Sequence, residues 1–289
     1  MTLSNPKPWI EAAHQGGYAV GAFNANMMEQ AQAIVLAAQQ ENAPVILQIS
    51  HHALQYIGSG DVSLGLQYIA AIGKVAARSV SVPVALHLDH AEEGEVLQAF
   101  DLGFTSVMFD GGDLTFAENI AITRRLTELA HQADVFIEAE VGAVPRADGS
   151  GRVDAMTEFT RPQDAAEFVE ATGIDALAIA IGSIHAVKDK HVEIDLERLQ
   201  TIRAAVDIPL VLHGSSGVTD AHIAQGITFG LCKVNCATQL SKTFTEAARA
   251  SLAADPTLVD PRKYLGPARD AMIDAVRERI RFFGSAGKA

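Results

Sequence analysis

Short apolar runs rich in β-branched residues alternate along the whole chain with longer stretches of helical period. Strands are expected at 18–23, 45–49, 84–90, 105–109, 135–140, 176–181, 209–213 and 230–235. Helical patterns fill the gaps: from about 27 to 42, where Pro44 stops the run, then to about 79 after a turn carrying Gly58 and Gly60, from 93, over 115–133, from 162, over 195–206, from about 238, and over 262–282. Strand and helix alternating in this way imply βα units and a parallel sheet. Eight such units in a chain of 289 residues fit a closed (β/α)8 barrel of α/β class. A doubly wound open sheet is the alternative, but no G-x-G-x-x-G follows the first strand. No low-complexity linker divides the chain, so one domain over 1–289 is expected. The segment 143–160 is too long and too polar for a routine βα loop, which marks it as a mobile functional loop. A helical tail at 256–289 closes the chain.

Composition narrows the partners. The net charge of −13 argues against general nucleic-acid or acidic-membrane binding, since both need basic surface. An anionic small substrate is still compatible, provided local donors meet it. Cys232 and Cys236 form no disulfide framework and no zinc-ribbon spacing, which suits packing in a reduced compartment. The first eight residues have no apolar signal core, and no run of about 18 apolar residues occurs. A soluble cytoplasmic protein is expected.

Chemistry collects where the strands end. In order, the C-terminal ends carry Asn24, Ser50, Asp89 with His90, Asp110, Glu140, His185, His213 and Asn235. In a parallel barrel these ends open on one mouth, the face on which barrel enzymes build their sites. His90, His185 and His213 converging there, with a coordination position left open, describe a catalytic zinc site. Asp110 and Glu140 are candidates for further ligands or for partners of the histidines. His87 shares strand parity with Asp89 and is expected as a hydrogen-bonded interior residue. His14, His131, His191 and His222 fall in helical or loop contexts and are expected to be solvated. The turn Gly214-Ser215-Ser216-Gly217 after the seventh strand, and the stretch from Asn235 to Thr238 opening a helix after the eighth, stand where barrels hold phosphate on backbone N–H groups.

Five segments, His87-Leu88-Asp89-His90, Glu138-Ala139-Glu140-Val141-Gly142, Ile181-Gly182-Ser183-Ile184-His185, Leu212-His213-Gly214-Ser215-Ser216-Gly217 and Lys233-Val234-Asn235-Cys236-Ala237-Thr238, resemble the signature blocks of class II, zinc-dependent ketose-bisphosphate aldolases. The likeness runs through nearly the whole chain. It implies a lyase cleaving a fructose- or tagatose-1,6-bisphosphate-like ketose to dihydroxyacetone phosphate and an aldehyde. It implies zinc on His90, His185 and His213, with Asp110 and Glu140 as alternative metal contacts, and allows a second divalent or a monovalent cation. Asp89 would exchange the proton of the C4 hydroxyl. Gly182, Gly214, Ser216, Asn235 and Thr238 would hold the phosphate end, with Asn24 and Ser50 nearby. Arg262 matches an arginine that reaches the second phosphate from a neighbouring subunit, which implies a homodimer or homotetramer.

The chain departs from the family pattern in three places. Pro145-Arg146-Ala147-Asp148-Gly149 stands where Gly-Gly and an acidic pair are usual, so Asp148 falls in register with the loop glutamate that serves as base at C1 of the enediolate. Ala186 replaces the usual glycine after His185. His51-His52 after Ser50 is also unusual and points to an altered substrate pocket. Two competing readings follow: a Schiff-base aldolase using Lys233, and a relative that keeps metal and phosphate binding with altered substrate or little turnover.

Overall fold

The computed structural model describes residues 2–147 and 159–289. The expected units condense into a closed parallel barrel with strand order β1 to β8. The strands are β1 Val20–Asn24, β2 Val45–Ser50, β3 Val84–Ala91, β4 Ser106–Phe109, β5 Phe136–Val141, β6 Ala176–Ile179, β7 Leu210–Leu212 and β8 Leu231–Cys236. Around them run α1 Lys7–Gly16, α2 Met28–Glu41, α3 His51–Ile57, α4 Val62–Arg78, α5 Glu93–Leu102, α6 Phe116–Gln132, α7 Pro162–Thr172, α8 Leu196–Ala205, α9 Asp220–Thr228, α10 Thr238–Ala254 and α11 Arg262–Phe283. β1 pairs with both β2 and β8, which closes the ring and leaves no free sheet edge. This is the (β/α)8, or TIM, barrel that the alternation predicts.

Side-chain oxygens start several helices at the places their sequences specify. Asp61 accepts from the Leu64 N–H at α4, Asp195 from the Arg198 N–H at α8, and Thr115 with Glu118 makes a reciprocal capping box at α6. Each satisfies backbone donors that the first turn leaves unpaired.

The barrel interior is divided by height. Its lower part is apolar, with Val20, Ile46, Met108, Phe136 and Val211 packed together and Ile10 and Ala13 of α1 sealing the floor. Higher up, the inward positions are polar: Gln48, His87, Ser106, Glu138 and Lys233 are each at most 1% exposed. A second, larger apolar cluster lies between the strands and the helices.

Three helices are not anticipated by the sequence pattern: α1, α3 and α9, the last lying between the Gly/Ser turn and β8. α1 is short, and its use as a floor depends on the barrel above it. α3 begins directly on Ser50, where the sequence suggests only a turn. Among the described residues no helix is long and apolar enough to cross a membrane.

Candidate active site

A cavity of about 870 Å3 opens at the C-terminal mouth. Of the expected strand-end residues, Asn24, Ser50, Asp89, His90, Asp110, His185 and Asn235 line it, as do Gly214, Ser216 and Thr238. His213 and Glu140 are buried in its wall. Gly182 does not line the cavity, and Asp148 lies outside the described residues.

Strict alternation along β3 would turn His90 away from the face that Asp89 occupies. The β3–β4 register shifts between Leu88 and Ala91, and His90 takes a left-handed backbone with φ 51°. This bulge re-aims one side chain, so both neighbours reach the mouth.

His90, His185 and His213 come together with one nitrogen from each ring within 4.8 Å of the others. The opposite nitrogens of two rings are committed. His90 Nδ1 donates to Asp110 Oδ2 at 2.7 Å, and His213 Nε2 donates to Glu138 Oε1 at 2.8 Å. A carboxylate can only accept, so these contacts fix both tautomers. His90 Nε2 and His213 Nδ1 then face each other at 2.9 Å with lone pairs on both. His185 Nε2 is buried and has no hydrogen-bond partner among the described residues. Two acceptor nitrogens facing each other beside the unpartnered His185 ring need a proton or a cation between them, and three imidazoles suit zinc.

Of the two carboxylates offered as further ligands or as partners of the histidines, Asp110 takes a partner's position. Asp110 stands behind His90, on the ring nitrogen that faces away from the cluster. Glu140 accepts from the Val144 N–H at 3.1 Å and falls outside the three-histidine group. Glu138, unassigned by the sequence reading, is the residue that backs His213. It is two positions before Glu140 and therefore on the same inward face, which is the signal that could have found it.

Burial and neighbouring charge tune these groups in opposite directions. Burial opposes ionisation of Glu138, but the Lys233 ammonium and His213 hold it well below the usual carboxylate range. Burial likewise opposes ionisation of Asp110, yet its bond to His90 brings it down to about 2. Glu140 is raised by burial. Burial, with His90 and His213 adding to it, keeps His185 neutral. His87 is pushed down to about 3 by burial and by Lys233. Its Nδ1 lies 2.6 Å from Ser106 Oγ, while its Nε2 has no partner among the described residues, so this interior histidine is only half satisfied.

Lys233 is fully buried and does not line the cavity. Its Nζ donates to Asn235 Oδ1 at 2.8 Å and pairs with Glu138 Oε2 at 2.8 Å. Asn235 Nδ2 in turn donates to Asp89 Oδ1 at 3.2 Å. The same Nδ2 lies 3.2 Å from His213 Nε2, a donor facing a donor, and contributes no bond there. A lysine placed so has no path to a substrate ketone, which removes the geometric support for imine chemistry.

On the far wall, His51 Nδ1 bonds Glu95 Oε1 at 2.6 Å and its Nε2 meets Gln55 at 3.0 Å, so both ring nitrogens are used. His52 is exposed to the cavity. Arg146 is the only arginine or lysine among the described lining residues, and no carboxylate among them pairs with it. Its backbone segment is stitched to the His185 loop: the His185 N–H donates to Pro145 O, and the Ala147 N–H to His185 O. Arg262 lies outside the cavity, 90% exposed and paired with Asp260. Of the histidines expected in solvent, His131 and His191 are exposed. His14 and His222 are half-buried, and His222 Nδ1 meets the Ile194 backbone.

The chain is thus a TIM-barrel protein with imidazoles, a carboxylate and a Gly/Ser turn gathered at one mouth. The family model for class II fructose-bisphosphate aldolase matches residues 4–288, and the chain belongs to that family of lyases. It is 40% identical over 293 aligned residues to the fructose-bisphosphate aldolase of Geobacillus stearothermophilus, covering 100% of this chain and 99% of that one. The fructose-bisphosphate aldolase of Staphylococcus aureus is 38% identical, with full coverage of both chains. Among solved structures, the YdjI aldolase of Escherichia coli K12 superposes with a TM-score of 0.85 at 30% identity, covering 99% of each chain.

Proposed function

We propose that this enzyme reversibly cleaves a fructose- or tagatose-1,6-bisphosphate-like ketose to dihydroxyacetone phosphate and an aldehyde, with zinc held by His90, His185 and His213. The observation that carries the reading is the convergence of three imidazole rings beside Asp89 at the cavity wall. When bound, the ion supplies Lewis-acid polarisation of the ketone.

Asp89 takes the proton of the C4 hydroxyl as the C3–C4 bond breaks and the C4 aldehyde forms, and returns it in condensation. Its bond to Asn235 fixes one carboxylate oxygen and leaves the other for the substrate. The electron pair released stays on the three-carbon fragment as an enediolate, which then takes a proton at carbon; Asp148 is the residue we assign to that step. The backbone of Gly214 to Ser216 and the N-terminus of α10 at Thr238 bind the phosphate of this fragment, favoured by unpaired N–H groups and the helix dipole. Asn24 and Ser50 contact the sugar. Arg146 and His52 face the far end of the cavity, where Arg146 offers a planar cation to a distal anion. Arg262, exposed and outside this chain's own cavity, serves the second phosphate of a neighbouring chain in a homodimer or homotetramer on this reading.

The test is a panel of fructose, tagatose and sorbose mono- and bisphosphates, assayed on zinc-loaded and chelator-stripped protein. Cleavage that disappears with chelation and returns with zinc is expected. Zinc-loaded protein that binds dihydroxyacetone phosphate but cleaves no member of the panel would replace this reading with that of a binding protein lacking turnover.

A further inference from the structure

Helix α4 has two apolar faces, and the barrel uses one. Leu66, Ile69, Ala70, Gly73, Ala76 and Ala77 form the buried face. The opposite face of such a helix is ordinarily polar. Here it carries Leu64 at 38%, Tyr68 at 53% and Val75 at 61% exposure, with Ala71 also exposed. Positions 64, 68, 71, 75 and 78 alternate steps of four and three, the narrow seam by which one helix packs along another.

Charge indicates what covers it. Asp and Glu outnumber Lys and Arg by 35 to 22, yet Asp61 is the only carboxylate between Glu41 and Asp89. A second copy can therefore approach this face without the repulsion that an acidic surface imposes. The seam is also complementary to itself. Turned antiparallel about a two-fold axis level with Ile69 and Ala70, Leu64 meets Val75 of the second copy, Tyr68 meets Ala71, and Asp61 meets Arg78, each pair occurring twice. Asp61 caps α4 through one oxygen and Arg78 donates only through Nε, to Lys74 O; neither makes an ion pair among the described residues. Self-complementarity under a two-fold rotation is what an isologous interface demands.

We propose that the α4 seam docks a second copy of this chain, helix against antiparallel helix. The seam depends on neither metal nor reaction. α4 runs from the mouth toward the floor, so the pairing points the two mouths in opposite directions. Arg262 starts α11, whose far end accepts from the Ala19 N–H at the foot of β1 through Phe283 O, which sets Arg262 at mouth height. The chain that Arg262 serves on the reading above is then a different copy, and the two contacts together build a homotetramer.

Sedimentation of the full chain and cysteine cross-linking test the seam. Tyr68→Asp puts a charge at its centre and should halve the mass of the assembly at micromolar concentration, with the circular dichroism of the barrel retained. Arg78→Glu sets two acids together at each end and should weaken association about tenfold, more so at low salt. Leu64→Cys with Val75→Cys in one chain should give a covalent dimer on oxidation with diamide. Neither single variant should, because each cysteine would lie about 16 Å along the helix axis from its own equivalent. Cys232 and Cys236 are buried and do not compete.

Should Tyr68→Asp fail to fold, the cysteine pair, at two exposed positions, still decides. A parent that sediments as a dimer and cross-links through these cysteines would uphold the seam and remove the Arg262 contact. The proposal is overturned by a folded double-cysteine protein that gives no covalent dimer, or by Tyr68→Asp assembling as the parent does. A parent chain that is monomeric at micromolar concentration would also overturn it and leave the seam to a different protein.

Discussion

Gly214→Ala should both destabilise the protein and disable its phosphate end. Gly214 has φ +64°, and a Cβ built there would lie 2.8, 2.9 and 3.0 Å from the backbone carbon, oxygen and nitrogen of Ile184. A left-handed conformation costs an L-residue about 1–2 kcal/mol. Forcing extra volume against backbone adds about 1–3 kcal/mol, because no flexible side chain can move aside. The total is about 2–5 kcal/mol, which for a chain this size lowers the melting temperature by roughly 3–8 °C. The displacement also has a direction. Ile184 precedes His185 and Gly214 follows His213, so relief of the clash separates two of the three imidazoles and moves the Ser215 and Ser216 N–H groups. Affinity for dihydroxyacetone phosphate should fall by about tenfold or more, a loss of about 1.4 kcal/mol. Thermal unfolding and calorimetric titration with dihydroxyacetone phosphate measure the two effects. Gly94→Ala is the control: nothing lies within 4 Å of its Cβ, and helix α5 should gain about 0.5–1 kcal/mol. A Gly214→Ala protein that melts within about 2 °C of the parent and binds the ligand unchanged would refute the strain argument.

Two further outcomes are expected from the cavity rim. Ala186 has φ 63° where the family usually has glycine, so Ala186→Gly should stabilise the fold by about 1 kcal/mol in denaturant titration; a loss of stability would show that the alanine methyl has a packing role. Arg146→Ala should lower kcat/KM for a bisphosphate by about 10–100-fold through loss of a charged hydrogen bond worth about 1.5–3 kcal/mol, while a substrate with no distal anion changes little. Equal losses on both substrates would place Arg146 elsewhere in the reaction.

The barrel was legible because apolar strand runs alternate with helical patterns, several of which carry their own start signal, as in the Asp61 and Thr115 caps. The three histidines were legible by position, since each lies at a strand's end or in the loop directly after one, and parallel strands deliver those ends to one rim; β6 stops at Ile179, and His185 stands in the loop beyond it. The exact directions were not. His90 reaches the cluster only through a bulge, and a bulge depends on pairing with β4, which a single strand's sequence does not encode. Glu138 was passed over although it shares the parity of Glu140, because its role is visible only once His213, far along the chain, stands opposite. Lys233 invited a nucleophile reading from its residue type; full burial, its hydrogen bond to Asn235 and its ion pair with Glu138 keep it from the cavity. The floor helix α1 escaped notice for a related reason: ten residues with few apolar positions signal little until a barrel end requires covering.

Two side chains at the mouth, His90 and Ala186, sit in backbone conformations that most amino acids avoid, whereas no residue of the apolar floor cluster beneath them does so. A change at the rim that removes a reacting side chain, without crowding a close-packed glycine such as Gly214, would cost the protein its reaction and leave its shape intact. A molecule of this design can be disarmed without being dismantled, so good folding among its descendants is no guide to whether they still work.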